Sequence, residues 1–415
     1  METADVIVVG LGAAGAATLY QLARRGVRAI GIDRFAPPHA LGSTHGETRI
    51  TRLAIGEGAH YSPLAIRSHA IWRELEAATG ADLLTTNGGL IIADAGAETS
   101  LFHGAAFFET TMEASRRHGI AHEMLDAAEI RRRFPQFAVA DGARGYYEPS
   151  AGFVRPEACV AAQLAEARRL GADIRLGEVA ARFESAADSV LVETTKGRYA
   201  CQRLVIAAGA WAPALFGRRY GLPLRVYRQT LFWFDVGARH AEFAPTRFPV
   251  FIWDLPDRRG AIYGFPAISG PDGGFKLATE QFEVETTPDD VSRDVGPEEA
   301  AAVYERFVAP CFPAARPRCV RSASCLYTVT PDFGFIVDRA PDSERVILAS
   351  PCSGHGFKHS AALGEAIAEM ATEGESRLDL SAFAMARFAA PEALDIPFPR
   401  SVTAGLRPGG PSTRT

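Results

Sequence analysis

A chain of 415 residues with 47% hydrophobic and 22% charged residues is long enough to bury a large core and to divide into two domains. Its 44 Lys and Arg against 49 Asp and Glu leave a formal charge of −5, with no basic run that would track a phosphate backbone, so nucleic acid is not an expected partner. No apolar stretch reaches the roughly 18 residues that span a bilayer, and Met1 leads into a strand pattern without a basic leader, which points to a cytoplasmic protein with no membrane segment. Six cysteines (Cys159, Cys201, Cys311, Cys319, Cys325 and Cys352) are scattered without a CxxC pair, a pattern that suits neither a zinc site nor a disulfide scaffold. No metal-ligand cluster is visible, and none is expected.

In chain order, residues 5–9 form an apolar run, Gly10, Gly12 and Gly15 follow, residues 13–25 have helix-forming composition, and 27–32 are apolar again. This is strand, turn, helix, strand. Asp33 closes the second strand 18 residues after Gly15, where an acid meets the ribose hydroxyls of a dinucleotide. Gly10 would make the tight turn, Gly12 would let the backbone approach a pyrophosphate, and Gly15 would let the helix pack on the sheet, with the helix N-terminus toward the phosphates. The fingerprint alone leaves FAD and NAD both open.

Further along, 157–170 reads as a helix, 172–176 and 189–194 as strands, and the apolar run 204–208 ends in Gly209-Ala210-Trp211. From about 225 to 320 the texture changes to aromatic strands (227–235, 250–253, 261–265) punctuated by Pro and Gly. Residues 345–349 then read as a strand and 360–372 as a helix. The expected fold is α/β: a Rossmann-like nucleotide-binding domain and a second, sheet-based α+β substrate domain. The nucleotide domain would be discontinuous, from 1–85, 148–222 and 321–390, with the substrate domain from 86–147 and 223–320. The Pro-, Gly-, Ser- and Thr-rich end, 403–415, is expected to be a disordered tail.

Three unusual segments in order carry a specific resemblance: Gly42-Ser43-Thr44-His45-Gly46-Glu47-Thr48-Arg49-Ile50-Thr51-Arg52, Cys325-Leu326-Tyr327-Thr328, and Ser353-Gly354-His355-Gly356-Phe357-Lys358. From about residue 4 to about residue 385 the chain resembles the monomeric sarcosine oxidase and N-methyltryptophan oxidase family. The resemblance implies an FAD-dependent oxidase of a secondary or tertiary amino acid. Hydride leaves the carbon beside nitrogen, an imine forms, and oxygen takes the electrons as hydrogen peroxide. Cys325 matches the residue that bonds the flavin 8α-methyl group as a thioether, although a lone cysteine is more often a buried structural thiol. Arg52 and Lys358 match the pair that holds the substrate carboxylate, which a guanidinium can bind bidentately. Lys276 resembles the lysine that activates oxygen, since a fixed positive charge stabilises superoxide. A surface loop lysine is the alternative, because the preceding loop is about two residues longer than the family pattern.

His45, Thr48 and Arg49 resemble flavin-contacting residues, and His45 and Arg49 would supply positive charge to a reduced flavin. Ser43, Thr44, Arg34, Val179, Gly209, Trp211, Gly354, Gly356 and Phe357 complete the expected cofactor contacts. Tyr263 and Tyr327 would line the substrate pocket. The pattern breaks at two positions. Glu280 stands where sarcosine oxidase places a pocket histidine, either facing a cationic part of the substrate or lying outside the pocket. Cys352 stands where an aromatic residue is common, which would enlarge the cavity. Both leave open a cyclic or bulkier amino acid, pipecolate-like, beside simple N-methyl amino acids. A dehydrogenase of the same superfamily and a catalytically silent flavin-binding subunit are the rival readings. By resemblance the protein would be a monomer.

Overall fold

Four strands with short apolar runs, residues 6–9, 29–32, 204–206 and 346–349, pair in parallel to build the first sheet. Glu2–Val9 runs between Ala29–Asp33 and Arg198–Ile206, and Ser343–Ser350 pairs with the far end of Arg198–Ile206. Such continuous runs belong to a sheet covered on both faces. Val6, Val8, Val205 and Ile347 turn to one core with the helices, while Ile7, Val9, Leu204 and Leu348 turn to the other. Asp173–Leu176 adds a parallel edge strand, and Val190–Thr194 pairs antiparallel with the first half of Arg198–Ile206. The description rests on a computed structural model and covers residues 1–94, 107–255 and 260–389. The expected tail at 403–415 lies outside the described residues.

The helix Ala13–Arg24 is rich in alanine, and it packs between Pro156–Arg169 and Ser360–Thr372. Small residues let these helices approach closely. A Cβ at Gly364 would stand 2.3 Å from the Ala17 Cβ, so any larger residue there would push the helices apart. Among the described residues no helix is long and apolar enough to cross a membrane.

The second sheet has eight strands and is antiparallel except where Val250–Leu255 runs parallel to Gly89–Ala93. Arg225–Phe234 lies one strand in from an edge, between Phe275–Thr279 and the edge strand Cys319–Val329. Alternation along these strands gives the two faces different chemistry. Phe232, Phe234, Phe275 and Leu277 join Phe137, Phe248 and Phe312 in an aromatic core. Leu231, Trp233, Ala278 and Cys325 point the other way, with Tyr263 packed against them. Cys319–Val329 belongs to this sheet by its pairing, although the sequence reading opens the last nucleotide-domain segment at 321. The reason is long-range: its ten-residue register with Arg225–Phe234 leaves no local mark in the sequence. A small third sheet, of Arg49–Thr51, Gly152–Val154 and Leu84–Thr86, lies outside the sequence expectations.

Candidate active site

The carboxyl ends of the parallel strands open into a single cavity of about 520 Å³, the place where open α/β sheets bind ligands. Gly10 follows the first strand with φ +86°, a left-handed conformation, and a Cβ there would lie 2.5 Å from the Ala207 oxygen. A Cβ on Gly15 would fall 1.7 Å from the Gly10 oxygen, so this glycine sets how closely helix and turn can meet. Gly12 is the N-cap residue of Ala13–Arg24 and offers no side-chain cap, which leaves the first-turn N–H groups directed at the cavity that Gly12, Ala13 and Ala14 line. Asp33 also lines it. Its carboxylate accepts from the N–H groups of Leu11 and Phe35, both at 2.7 Å, and burial raises its pKa against those bonds.

Arg34, Ser43, Thr44, Val179, Gly209 and Trp211 continue the same wall. Arg34 pairs with Asp289 at 3.0 Å and stacks on Trp211. The Val179 N–H donates to Thr195 Oγ1. Gly354, Gly356 and Phe357 form the wall beyond the last parallel strand. There Gly354 has φ +83°, and a Cβ on Gly356 would clash with the Pro351 oxygen at 1.8 Å.

Lys276, His45, Thr48 and Cys325 do not line this cavity; they cluster with Arg49, which does. The Lys276 ammonium donates to the carbonyls of Gly46 (2.7 Å) and Thr48 (2.8 Å) and to Thr48 Oγ1 (3.3 Å). This buried setting in a strand contradicts the surface-loop alternative. Burial and the neighbouring Arg49 push its pKa well below the usual lysine range, while three oxygen acceptors favour the three-donor cation. Arg49 donates to the Ser43 carbonyl at 2.8 Å, and Cys325 Sγ sits 3.6 Å from both that carbonyl and Arg49 Nη2. The expectation that His45 supplies positive charge is corrected: burial, Arg49 and Lys276 lower its pKa to about 3, so the imidazole is neutral.

The far end of the cavity holds a different chemistry. Arg52 and Lys358 are both buried, and both bind one acid, Glu57, at 2.6 Å and 3.1 Å. Burial lowers Lys358 to about 8, with the charge of Glu57 opposing the shift. The Tyr263 and Tyr327 hydroxyls lie 3.0 Å apart in the wall, each raised in pKa by burial. Cys352 and Glu280 are in the wall too, which decides between the two placements of Glu280. Cys352 Sγ accepts from the Thr328 N–H.

Three acids that organise this site escaped the sequence reading. Glu57 lies between Gly56 and Gly58, five residues after Arg52, and an acid flanked by glycines beside a candidate anion-binding arginine was a usable signal. Glu157 Oε1 accepts from the N–H groups of Gly46 (2.6 Å) and Glu47 (3.1 Å), fixing the loop that carries Arg49. Glu148 does the same for Leu53 and Ala54 beside Arg52. Both are long-range contacts that nothing local announces.

The chain matches the family model for FAD dependent oxidoreductases (DAO) over residues 5–370. The protein belongs to this family of FAD-dependent oxidoreductases. It is 38% identical over 390 residues to a monomeric sarcosine oxidase of Streptomyces avermitilis, covering 94% of this chain and 98% of that one. It is 33% identical to an N-methyl-L-tryptophan oxidase of Yersinia pestis, covering 92% and 99%. The structure of NikD, an unusual amino acid oxidase essential for nikkomycin biosynthesis, superposes with a TM-score of 0.79 over 92% of this chain and 98% of that one at 24% identity, which establishes a shared fold.

The residues present fit FAD. The uncapped helix end and glycine turn suit a pyrophosphate, Asp33 suits a ribose, and the buried Ser43 Oγ and His45 Nε2 have no hydrogen-bond partner among the described residues.

Proposed function

We propose that the protein oxidises a secondary or tertiary amine that carries a carboxylate, with FAD as hydride acceptor and O2 as the final oxidant. The convergence of Arg52 and Lys358 on one carboxylate, in the wall of the cavity that begins at the nucleotide cradle, carries this reading. A cation pair that already holds Glu57 has the charge and geometry to hold an amino-acid anion. Bound FAD supplies the two-electron acceptor. The protein's own part is to fix the carboxylate, to place the carbon beside nitrogen against the Tyr263–Tyr327 end of the cavity, and to keep water out of a site walled by buried side chains.

Arg49, and Lys276 held by the Gly46 and Thr48 carbonyls, set positive charge where electrons leave for oxygen. Cys325 forms the thioether to the flavin in this reading; its Sγ stands beside Ser43 and Arg49, which line the cavity. Cys352, small and in the wall, favours an N-substituted or cyclic amino acid larger than sarcosine. The protein works as a cytoplasmic monomer. Six unpaired cysteines suit a reducing compartment, and the Streptomyces relative is itself described as monomeric.

Acid-precipitated protein is expected to stay yellow, and Cys325→Ser to release its flavin on precipitation. Under anaerobic conditions a panel of N-methyl and cyclic amino acids is expected to bleach the flavin, and the same amines without the carboxylate to fail. Equal bleaching by amines lacking a carboxylate would refute the role of Arg52 and Lys358.

A further inference from the structure

Glu280 is an acid in the cavity wall that also holds Arg52 and Lys358. It follows the strand Phe275–Thr279, four residues after Lys276, so the two-residue period brings Lys276, Ala278 and Glu280 to one face. Ala278 pairs in register with Tyr263, which sets the tyrosine alongside. The facing titratable and charged groups are Tyr263 from the adjacent strand, Tyr327 from Cys319–Val329 two strands away, Glu57 from the loop after Arg52, and Lys358 beyond Gly356. None of these is a hydrogen-bond partner for Glu280 Oε2, which is shielded from solvent and has no partner among the described residues. Lys358 donates to Glu57 and the His355 carbonyl instead.

A buried acid without a partner is costly unless a ligand completes it. Burial, and next the charge of Glu57, push its pKa well above the usual carboxylate range against the pull of Lys358. The acid is thus an unpartnered polar group in the cavity wall that also holds Arg52 and Lys358 on the Glu57 carboxylate. An amino acid entering the cavity brings a second charged group, the ammonium, a bond or two from its carboxylate. Arg49, Arg52 and Lys358 in this wall are basic, and Glu57 is already bound by Arg52 and Lys358, which leaves Glu280 to answer a positive nitrogen beside them.

We propose that Glu280 is the counter-charge and proton acceptor for the substrate nitrogen. When an ammonium docks, Glu280 pairs with it as a carboxylate, any proton it carried passing to solvent. The nitrogen proton then passes to Glu280: the N–H bond breaks, an O–H bond forms, and the freed lone pair becomes the second bond of C=N as hydride leaves the adjacent carbon. This rests on the amine-oxidase reading above and assigns its substrate class: amines that arrive as cations, one to two bonds from a carboxylate.

The holoenzyme tests this with two unreactive ligands of one shape, trimethylglycine and its carbon isostere 3,3-dimethylbutanoate. Both carry the carboxylate; only the first carries the positive nitrogen, which has no lone pair and cannot be oxidised. Calorimetry in buffers of different ionisation enthalpy is expected to show trimethylglycine bound about tenfold or more tightly, as a desolvated charge pair implies, with protons released on binding because a paired cation favours the carboxylate. Glu280→Gln is expected to abolish both the preference and the proton release while leaving the isostere's affinity within about twofold, which also reports that the variant is folded.

A second measurement needs no variant. Trimethylglycine affinity should rise with pH as Glu280 ionises and the isostere's should fall, until Lys358 itself begins to titrate near 8. Preference or proton release persisting in Glu280→Gln, or parallel pH slopes in the wild type, overturns the proposal alone. Failure of the wild type to bind even the isostere overturns the carboxylate reading and this proposal with it.

Discussion

The two large sheets build one cavity in opposite ways. The parallel sheet contributes the ends of its strands, so its part of the site is main chain: glycine turns, an uncapped helix, and one acid, Asp33, tied to two N–H groups. The antiparallel sheet contributes a face, so its part is side chains: Tyr263 and Phe265 two residues apart on one strand, Tyr327 on another, and Glu280 just past the end of a third. Backbone recognition tolerates little change, because a Cβ at Gly10, Gly15 or Gly356 would overlap main-chain oxygen. A sheet face tolerates substitution at one position without moving the next. The nucleotide end is thus built to be kept and the substrate end to be altered, which is how an acid can occupy position 280 in an otherwise familiar frame.

The comparison is broken most severely through the core that holds the antiparallel face flat. Phe312 is fully buried and its ring meets those of Phe137, Phe248, Phe251, Trp253 and Phe275. Phe312→Ala is expected to cost about 3–5 kcal/mol, read as a fall in the denaturation midpoint. A loss below about 1 kcal/mol would mean that the aromatic core is not what supports the face.

The seam between the two sheets comes next. Lys276→Met is expected to slow reoxidation of the reduced flavin by O2 about 10²–10³-fold, while anaerobic reduction by substrate stays largely intact. Stopped-flow measurement of both half-reactions separates them, and unchanged oxygen reactivity would remove Lys276 from the mechanism and favour a dehydrogenase.

The gentlest probe is pH. Lys358 must be cationic to hold a carboxylate, and its pKa is lowered to about 8, so affinity for a carboxylate ligand is expected to decline as pH rises beyond that value. The decline approaches tenfold per pH unit once free Lys358 is mostly neutral. Because a bound carboxylate favours the charged lysine, its midpoint in the complex lies above 8. A flat profile to pH 10 would assign the anion to Arg52 alone.

Much of the parallel half was legible in the sequence because its signals are local. Gly10, Gly12, Gly15 and Asp33 lie within one βαβ unit, and the helix Ser360–Thr372 was bounded at its observed ends. The antiparallel half was legible as texture only. Its register pairs Gln229 with Cys325, 96 positions apart, and no pattern within either strand specifies the other. Resemblance paired Arg52 with Lys358 before any geometry did. It missed Glu57, Glu148 and Glu157, whose carboxylates set the positions of those cations or of the loops bearing them, because supporting acids carry no chemistry of their own to recognise. His45 shows the converse failure: residue type suggested a charge, and burial beside two cations removed it.

The hydrogen bonds of Lys276 bear on how oxygen would be handled. An ammonium has three N–H bonds, and Gly46, Thr48 and the Thr48 hydroxyl occupy all three. A visiting dioxygen therefore meets a group that offers it an electric field and no spare hydrogen. Electron transfer beside such a lysine is decoupled from proton transfer, so the rate of the oxygen step would be nearly the same in heavy water as in light.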